Sequence, residues 1–168
     1  MVHIHYADML PEAIRQLSRG KALLTVGGEK PNTMTIAWGS VGYCWNKPVF
    51  TVYVRMQRHT HDILLKNRKF TVSIALNDDN ADIFRFAGRT SGRDIDKFDG
   101  HGITAAPGQV IDCPVIGECQ LHFECLLSEH APMLGQTMAP EIRAKQYPDA
   151  DYHTICMGEI VACYRTDI

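Results

Sequence analysis

Long apolar runs and an excess of either charge are missing from this sequence. No apolar stretch approaches the roughly 20 residues that a membrane-spanning helix needs. The opening MVHIHYADMLPEAIRQLSRG has no apolar core of the kind that a secretory signal carries. The formal net charge is −2, which gives no broad field for nucleic acid or an anionic membrane. We therefore expect a cytoplasmic protein that binds neither nucleic acid nor membrane, with any basic site confined to a local cluster.

The sequence also lacks the short motifs of several common enzyme classes. There is no GxxxxGK[ST] and no GxGxxG, so neither a P-loop nor a Rossmann turn is predicted. No GxSxG elbow is present, and a pairing of Cys44 with a distant histidine is one that chance readily provides. These absences argue against hydrolysis and against the common nucleotide-binding loops.

Six cysteines are present, but CxxC and HExxH are absent. In CQLHFEC, strand alternation places Cys119 and Cys125 on one face and His122 on the other. Because zinc needs convergent ligands, this segment does not predict a metal site. We expect reduced, buried structural thiols and no bound metal.

With 168 residues, the chain is long enough to bury a core of its own, and we expect a single domain over residues 1–168. Six segments have the alternation, or the β-branched and aromatic composition, of strands. They are KALLTVGG, TMTIAW, VFTVYV, KFTVSIAL, the run from Val115 through HFECLLSEH, and YHTICMGEIVACYR, where Gly158 predicts a bulge. In TMTIAW, alternation gives Thr33, Thr35 and Ala37 a small, hydroxyl-rich face.

Short helices are predicted between these strands. HDILLKNR can begin at a cap formed by Thr60 and end at Asn67, NADIFRFAG is stopped by Gly88, and PEIRAKQY is a third helix. No long βαβ crossovers recur at regular spacing. The fold class is therefore mainly β, an antiparallel barrel with short helices.

Cations crowd the region around the first of these helices. Arg55, Arg58, Lys66, Arg68 and Lys69 surround a helix start whose free N–H groups and dipole favour an anion such as phosphate. They can equally be solvated surface charges beside a capped helix, and periodicity alone favours that interpretation.

Two further features permit a structural or a functional interpretation. SGRDIDKFDG is typical of a surface turn, but its cations and Phe98 could instead fold over a planar anionic ligand. His153 lies inside the last strand pattern, where a histidine is more often a satisfied strand residue than a catalytic one.

Four segments in order resemble the flavin reductase-like family of FMN-binding split barrels, especially its flavoredoxin-like branch. They are the run from Asn32 to Leu76, SGRDIDKF, CPVIGECQLHFEC and YHTICMGEIV, and the resemblance covers the chain from about Lys21 to Tyr164. It implies a six-stranded antiparallel split barrel that dimerises and holds FMN noncovalently near the subunit interface.

The resemblance also implies the site residues. Those expected to bind FMN are Asn32, Thr33, Met34, Thr35, Ala37 and Trp38 beside the ring; Val54, Arg55, Arg58, His59 and Thr60 from the ring edge to the phosphate; and Ser91, Arg93, Lys97 and Phe98 on a loop near the flavin. His153 is the candidate catalytic residue, beside the ring and the nicotinamide approach. The small face of Thr33 and Thr35 would let a flat ring come close. Arg55, and after it Lys97, is the candidate cation near the N1/O2 edge.

The implied activity is that of an oxidoreductase in which NADH or NADPH passes hydride to flavin N5 and the reduced flavin serves an acceptor. One alternative is an FMN electron carrier between redox proteins that does not use nicotinamide directly. Another is a flavin-binding module without turnover. The segment SEHAPMLGQTMAPEIRAKQYPDAD has little that aligns with the family, so the second substrate is not predicted.

Overall fold

Residues 1–166 are described by a computed structural model. Its strands in chain order are β1 (Val2–His3), β2 (Ala22–Val26), β3 (Asn32–Ile36), β4 (Gly39–Cys44), β5 (Lys47–Arg55), β6 (Lys69–Ile74), β7 (Ala105–Ala106), β8 (Val115–Ile116), β9 (Leu121–Pro132) and β10 (His153–Arg165). Its α-helices are α1 (Leu10–Ser18), α2 (His59–Asn67), α3 (Ala81–Arg89) and α4 (Pro140–Gln146). In the described part of the chain, no helix combines the length and hydropathy needed to cross a membrane.

The main sheet is antiparallel throughout, in the order β3-β2-β6-β9-β10-β5-β4, and β1 pairs with the end of β10. The mainly β fold class with short helices is thus confirmed, and the six predicted strands correspond to β2, β3, β5, β6, β9 and β10. The run from Val115 is not continuous, because β8 pairs separately with β7 and β9 begins only at Leu121. The pairing of β10 with β5 sets His153 opposite Arg55.

Strand β4 is an element that the sequence pattern did not predict. It forms a hairpin with β5 through Trp45 and Asn46, whose φ values of 51° and 58° are the left-handed conformations of a tight two-residue hairpin turn. The usual sequence signal for such a turn is Asn-Gly, which is absent here. Asn46 tolerates the left-handed conformation, but Trp45 does so less readily.

The interior of the barrel is filled by alternate residues of the long strands. The largest of these side chains are fully buried, and they include Leu24, Phe50, Phe70, Phe123 and Leu121. A second cluster lies on the other face of the sheet, where Phe84 and Ala87 of α3 pack with Leu23 of β2. This packing holds α3 against β3 and so defines one side of the groove described below.

The predicted bulge at Gly158 is confirmed. The register between β10 and β9 shifts between Met157 and Gly158. A Cβ built on Gly158 would lie 2.4 Å from the Phe70 ring and 2.9 Å from Cys125 Cβ, so the bulge brings bare backbone against the core.

Two helix boundaries differ from the prediction. Thr60 is not the cap of α2: the N-cap is Arg58, and the Thr60 hydroxyl instead accepts a hydrogen bond from Asn32 Nδ2 at 2.8 Å. Gly88 does not stop α3, which runs through it to Arg89. In that position the glycine allows the helix to approach Thr35, whose Cβ would be 3.3 Å from a Cβ at residue 88.

Candidate functional site

The start of α2 forms the floor of a cavity of about 340 Å³. The N-cap residue Arg58 makes no side-chain capping bond, so the first turn has backbone N–H groups without a capping side chain. The cavity is lined by Asn32, Met34, Gln57, Arg58, His59, Thr60, Ala87, Thr90, Ser91, Gly92, Arg93 and Lys97. Its size falls within the range of about 300–1,000 Å³ typical of small-molecule sites.

One wall of this cavity is fixed by a buried amide–hydroxyl contact. Asn32, at the start of β3, donates to Thr60 in the first turn of α2, and both residues are buried. Gly92 packs directly on the same amide, because a Cβ on Gly92 would lie 2.1 Å from Asn32 Oδ1. The strand, the helix and the loop after α3 therefore meet at Asn32.

Three cations surround the cavity, and they are held in different ways. Arg93 is tied to the region of α2, donating to the Gln57 carbonyl at 2.9 Å and to Asp62 Oδ2 at 2.8 Å. Within the part of the chain that the structure describes, the Arg58 guanidinium makes only a long hydrogen bond of 3.5 Å, to the Gly88 carbonyl. Lys97 is 3% exposed, and its ammonium donates to the Thr33 and Ala87 carbonyls at 2.7 and 2.8 Å. Arg58 is therefore the cation whose donors are least engaged by the protein.

Burial acts on the charge of Lys97. Desolvation, helped by the nearby Arg58 guanidinium, lowers the pKa of Lys97 to about 8, although its two carbonyl partners favour the charged form. An anion in the adjoining cavity would favour the charged form of Lys97, and so would act against both the desolvation and the repulsion by Arg58. The environment of Lys97 is thus that of a group that gains from an anionic neighbour.

A second cavity of about 200 Å³ adjoins the first and shares Met34 and Arg58 with it. It is lined by Met34, Thr35, Ile36, Ala37, Trp38, Tyr53, Arg55, Arg58 and His153. The rings of Trp38 and His153 lie 4.9 Å apart between centroids and form an aromatic wall. We call the two cavities together the groove: it is cationic at the α2 end and aromatic at the Trp38 end.

Arg55 borders the second cavity, but its donors are engaged by the segment after α4. Its guanidinium donates to the Gln146 carbonyl at 3.0 Å and to the Asp151 carbonyl at 2.7 Å, and it lies 5.2 Å from the centroid of the Tyr147 ring. These contacts anchor the connection between β9 and β10 to the end of β5. The same side chain is thus a structural anchor as well as part of the cavity wall.

His153 is 9% exposed, and its Nδ1 lies 2.8 Å from the Tyr147 hydroxyl. Burial lowers the pKa of His153 to about 4, the Arg55 and Arg58 guanidinia act in the same direction, and the Asp151 carboxylate only partly opposes them. The imidazole is therefore neutral at ordinary pH.

Comparison with known proteins decides the family. The sequence profile of the flavin reductase like domain matches residues 14–167, which is most of the chain. The chain belongs to this family. The resemblance found in the sequence is thus confirmed.

Three relatives illustrate the relationship. An uncharacterised protein of Archaeoglobus fulgidus is 29% identical over 139 residues, covering 83% of this chain and 68% of its own. The flavoredoxin of Desulfovibrio vulgaris (Miyazaki F) has a similar structure, with a TM-score of 0.68, 25% identity and coverage of 87% and 69% of the two chains. An FMN-binding protein from Thermus thermophilus, solved with bound 1-cyclohex-2-enone, has a TM-score of 0.67, 26% identity and coverage of 85% and 68%.

The structure brings most of the predicted site residues of this family member to the groove. Asn32, Met34, Arg58, His59, Thr60, Ser91, Arg93 and Lys97 line the first cavity, and Thr35, Ala37, Trp38, Arg55 and His153 line the second. Three predicted residues line neither cavity. Thr33 and Val54 are fully buried, and Phe98 packs on the cluster beneath α3.

The hydroxyls of the predicted small face of β3 have partners within the protein. Thr33 Oγ1 lies 3.0 Å from Thr25 Oγ1, and the Thr35 hydroxyl donates to the Phe84 carbonyl of α3. The Thr33 side chain is thus buried against β2 and the Thr35 hydroxyl is bound by α3, whereas Ala37 on the same face stays exposed. The groove is lined by the stretch from Met34 to Trp38, which includes Thr35 but not Thr33.

Several lining residues were not predicted: Ile36, Tyr53, Gln57, Ala87, Thr90 and Gly92. Tyr53 follows from the alternation of β5, since it shares a face with Arg55 two residues later. Tyr147 was also missed, and no sequence signal relates it to His153, because the segment around it offers little resemblance from which a role could be assigned.

Proposed function

We propose that this protein binds FMN noncovalently in the groove and acts as a redox flavoprotein. The observation that carries the proposal is the joining of two cavities with different chemistry. One has the open first turn of α2 and Arg58, which suit a phosphate, and the other has the Trp38–His153 wall, which suits a planar aromatic ring.

The relatives support a flavin as the ligand. The two solved structures named above are a flavoredoxin and an FMN-binding protein, and their similarity covers most of this chain. The phosphate would be held by the first turn of α2, Arg58 and Ser91. The ring would lie against the segment from Met34 to Trp38, with Tyr53 on β5 and His153 on β10 completing its surroundings. A cationic role of Arg55 or Lys97 at the N1/O2 edge stays a prediction.

When bound, FMN would supply the redox chemistry, as a two-electron carrier between a hydride donor, NADH or NADPH, and an acceptor. The chain supplies position and surroundings. Trp38 is 41% exposed, so the aromatic end of the groove is accessible to a second ligand, whereas His153 forms a buried, neutral part of the wall. Such a site needs no catalytic triad, because its task is to place the nicotinamide ring over the flavin ring.

A second candidate is an FMN electron carrier that exchanges electrons with redox proteins and does not use nicotinamide. The flavoredoxin of Desulfovibrio vulgaris (Miyazaki F), at 25% identity, favours it. The accessible edge at Trp38 serves this function equally well, because electron transfer needs only close approach to the ring. Both candidates share the same FMN site.

Anaerobic mixing of the FMN-loaded protein with NADH or NADPH separates the two candidates. We expect the visible flavin absorbance band to bleach with one of the nicotinamides. Dithionite serves as the control that the bound flavin is reducible. Bleaching by dithionite but by neither nicotinamide would contradict the reductase and favour the carrier.

The proposal extends to a homodimer in the cytoplasm with the site near the subunit interface. The hairpin of β4 and β5 exposes Tyr43 and Trp45, at 67% and 54%, and large aromatic side chains are common in interfaces.

Light scattering is expected to give twice the chain mass, with flavin released on dilution to monomer. A monomer that retains flavin tightly would contradict the interface.

A further inference from the structure

A buried tyrosine lies behind the aromatic wall of the groove. Tyr147, just after α4, is 4% exposed, and its hydroxyl lies 2.8 Å from His153 Nδ1. The two rings are nearly perpendicular, at 82°, with centroids 5.6 Å apart. His153 is thus contacted on one side by Trp38 in the cavity and on the other by a tyrosine outside it.

The chemistry of the pair assigns the proton between them. A phenol O–H is a better donor than a neutral imidazole N–H, and an imidazole nitrogen is a better acceptor than a phenol oxygen. The other acceptor within reach of Tyr147 is Met133 Sδ at 3.6 Å, and a thioether accepts only weakly. Tyr147 therefore donates to Nδ1, which leaves the hydrogen of the neutral ring on Nε2.

The second nitrogen of His153 is available to the groove. Among residues 1–166, no group forms a hydrogen bond with His153 Nε2. This nitrogen is also absent from the fully buried polar atoms that lack a partner, so it is not sealed off inside the protein. Because His153 lines the second cavity, Nε2 is the polar atom that this ring offers to a ligand there. The groups around the ring that carry charge are Arg55, Arg58 and Asp151.

We propose that Tyr147 is a positioning residue, which holds the imidazole of His153 in the Nε2–H tautomer and presents that N–H as a neutral donor to the ligand in the second cavity. The ligand half of this statement rests on the proposed function. The acceptor would be a carbonyl or ring nitrogen of a planar heteroaromatic group stacked beside Trp38.

Tyr147 is itself well fixed. Its ring lies between the Arg55 guanidinium, 5.2 Å from its centroid, and Tyr152, with a centroid distance of 5.1 Å. Arg55 also binds the Gln146 and Asp151 carbonyls on both sides of Tyr147. The connection between β9 and β10 therefore places the hydroxyl at one defined point behind His153.

Long-range ¹H–¹⁵N NMR of the histidine side chains in the flavin-free protein at neutral pH tests the tautomer directly. The His153 signals are assigned from their loss in His153→Gln. We expect wild-type His153 in the Nε2–H form, and Tyr147→Phe to change the tautomer ratio by about two- to tenfold, the value of one neutral hydrogen bond. Tyr152→Phe, which alters the ring neighbouring Tyr147, is the matched control and should leave the ratio unchanged.

The Nδ1–H form of His153 in the wild-type protein would overturn the proposal, whatever the behaviour of Tyr147→Phe. An unchanged ratio in a folded Tyr147→Phe would also overturn it. In the protein titrated with FMN, Tyr147→Phe should weaken FMN binding about two- to tenfold, because the ring proposed for the second cavity loses part of its Nε2–H donor. If neither nicotinamide reduces the wild-type protein, the proposed reductase activity is contradicted. The tautomer measurement would still test the role of Tyr147 independently.

Discussion

At the scale of single residues, Arg58 joins the two halves of the groove. It lines both cavities, and among the described residues its guanidinium has a single, long hydrogen bond. Arg58→Ala should weaken FMN binding by about 1.5–3 kcal/mol, the value of a charge-assisted hydrogen bond to the phosphate. Fluorescence titration measures this change. Arg85→Ala, which removes an exposed arginine paired with Asp82 on α3, is the control and should bind FMN as the wild type does. Equal affinity in Arg58→Ala would refute the phosphate assignment.

Glu124 is a buried residue with a purely structural set of partners. Its carboxylate is fully buried and accepts from the backbone N–H groups of Gln109, Val110 and Ile111 at 2.5–2.9 Å and from the Tyr164 hydroxyl at 2.8 Å. Burial opposes the charge, but these donors outweigh it and lower the pKa of Glu124. The carboxylate therefore holds the loop of residues 109–111 against β9.

Glu124→Gln should reduce the free energy of unfolding by about 1.5–3 kcal/mol, because one end of the amide would face N–H donors that need an acceptor. Urea denaturation gives the value. Glu29→Gln, at an exposed position in the loop after β2, serves as the control and should change stability by less than about 0.5 kcal/mol. A Glu124→Gln protein as stable as the wild type would show that the loop does not depend on the charge.

The sequence predicted the residues of the groove better than their individual roles. The family resemblance assigned Arg58, His59 and Lys97 to one site, and all three line the first cavity. The pattern could not show that Thr33 and Thr35 find partners in the protein, since these partners come from β2 and α3. Nor could it relate Tyr147 to His153, a contact that only the folded connection creates.

At the scale of elements, Gly158 controls how β10 passes over the core. Gly158→Ala would place a Cβ 2.4 Å from the Phe70 ring and should destabilise the protein by about 1–3 kcal/mol through overpacking. Gly42→Ala in β4 is the matched strand control, since nothing lies within 4 Å of its added Cβ. Thermal unfolding of both variants measures the contrast. Equal melting temperatures would contradict the role of the bulge.

The elements also show which sequence signals are reliable. Six strands were predicted because their alternation or β-branched composition is sustained over several residues. Strand β4 was missed, since Gly39, Ser40 and Gly42 carry little β propensity and the hairpin turn uses Trp45 instead of glycine. Its pairing is imposed by the neighbouring β5, a tertiary effect that local pattern does not contain.

At the scale of the whole molecule, two buried histidines make stability depend on pH. Burial lowers the pKa of both His122 and His153 to about 4, from an ordinary value of 6.5. Between these pH values the unfolded chain binds more protons than the folded one. The contribution of these two neutral histidines to the free energy of unfolding should therefore be complete above about pH 6.5 and be lost as the pH is lowered toward 4. Glu124, whose pKa is also lowered, adds a further loss below about pH 4.5.

Urea midpoints measured across this range check the prediction. His122→Gln should flatten the slope between pH 6.5 and 4, because it removes one of the two titrating groups. His101→Gln, at an exposed position, is the control and should leave the slope as it is. A wild-type midpoint that does not change from pH 6.5 to 4 would contradict the buried, neutral state of both imidazoles.

The central claim is that the groove binds FMN with its phosphate at the start of α2, and a titration of the flavin-free protein with FMN and with riboflavin tests it most directly. Fluorescence quenching should saturate at one FMN per chain, with FMN bound at least about tenfold more tightly than riboflavin, since about 1.4 kcal/mol from the phosphate contacts corresponds to that factor. Equal affinity for the two flavins, or no saturable binding of FMN, would contradict the account.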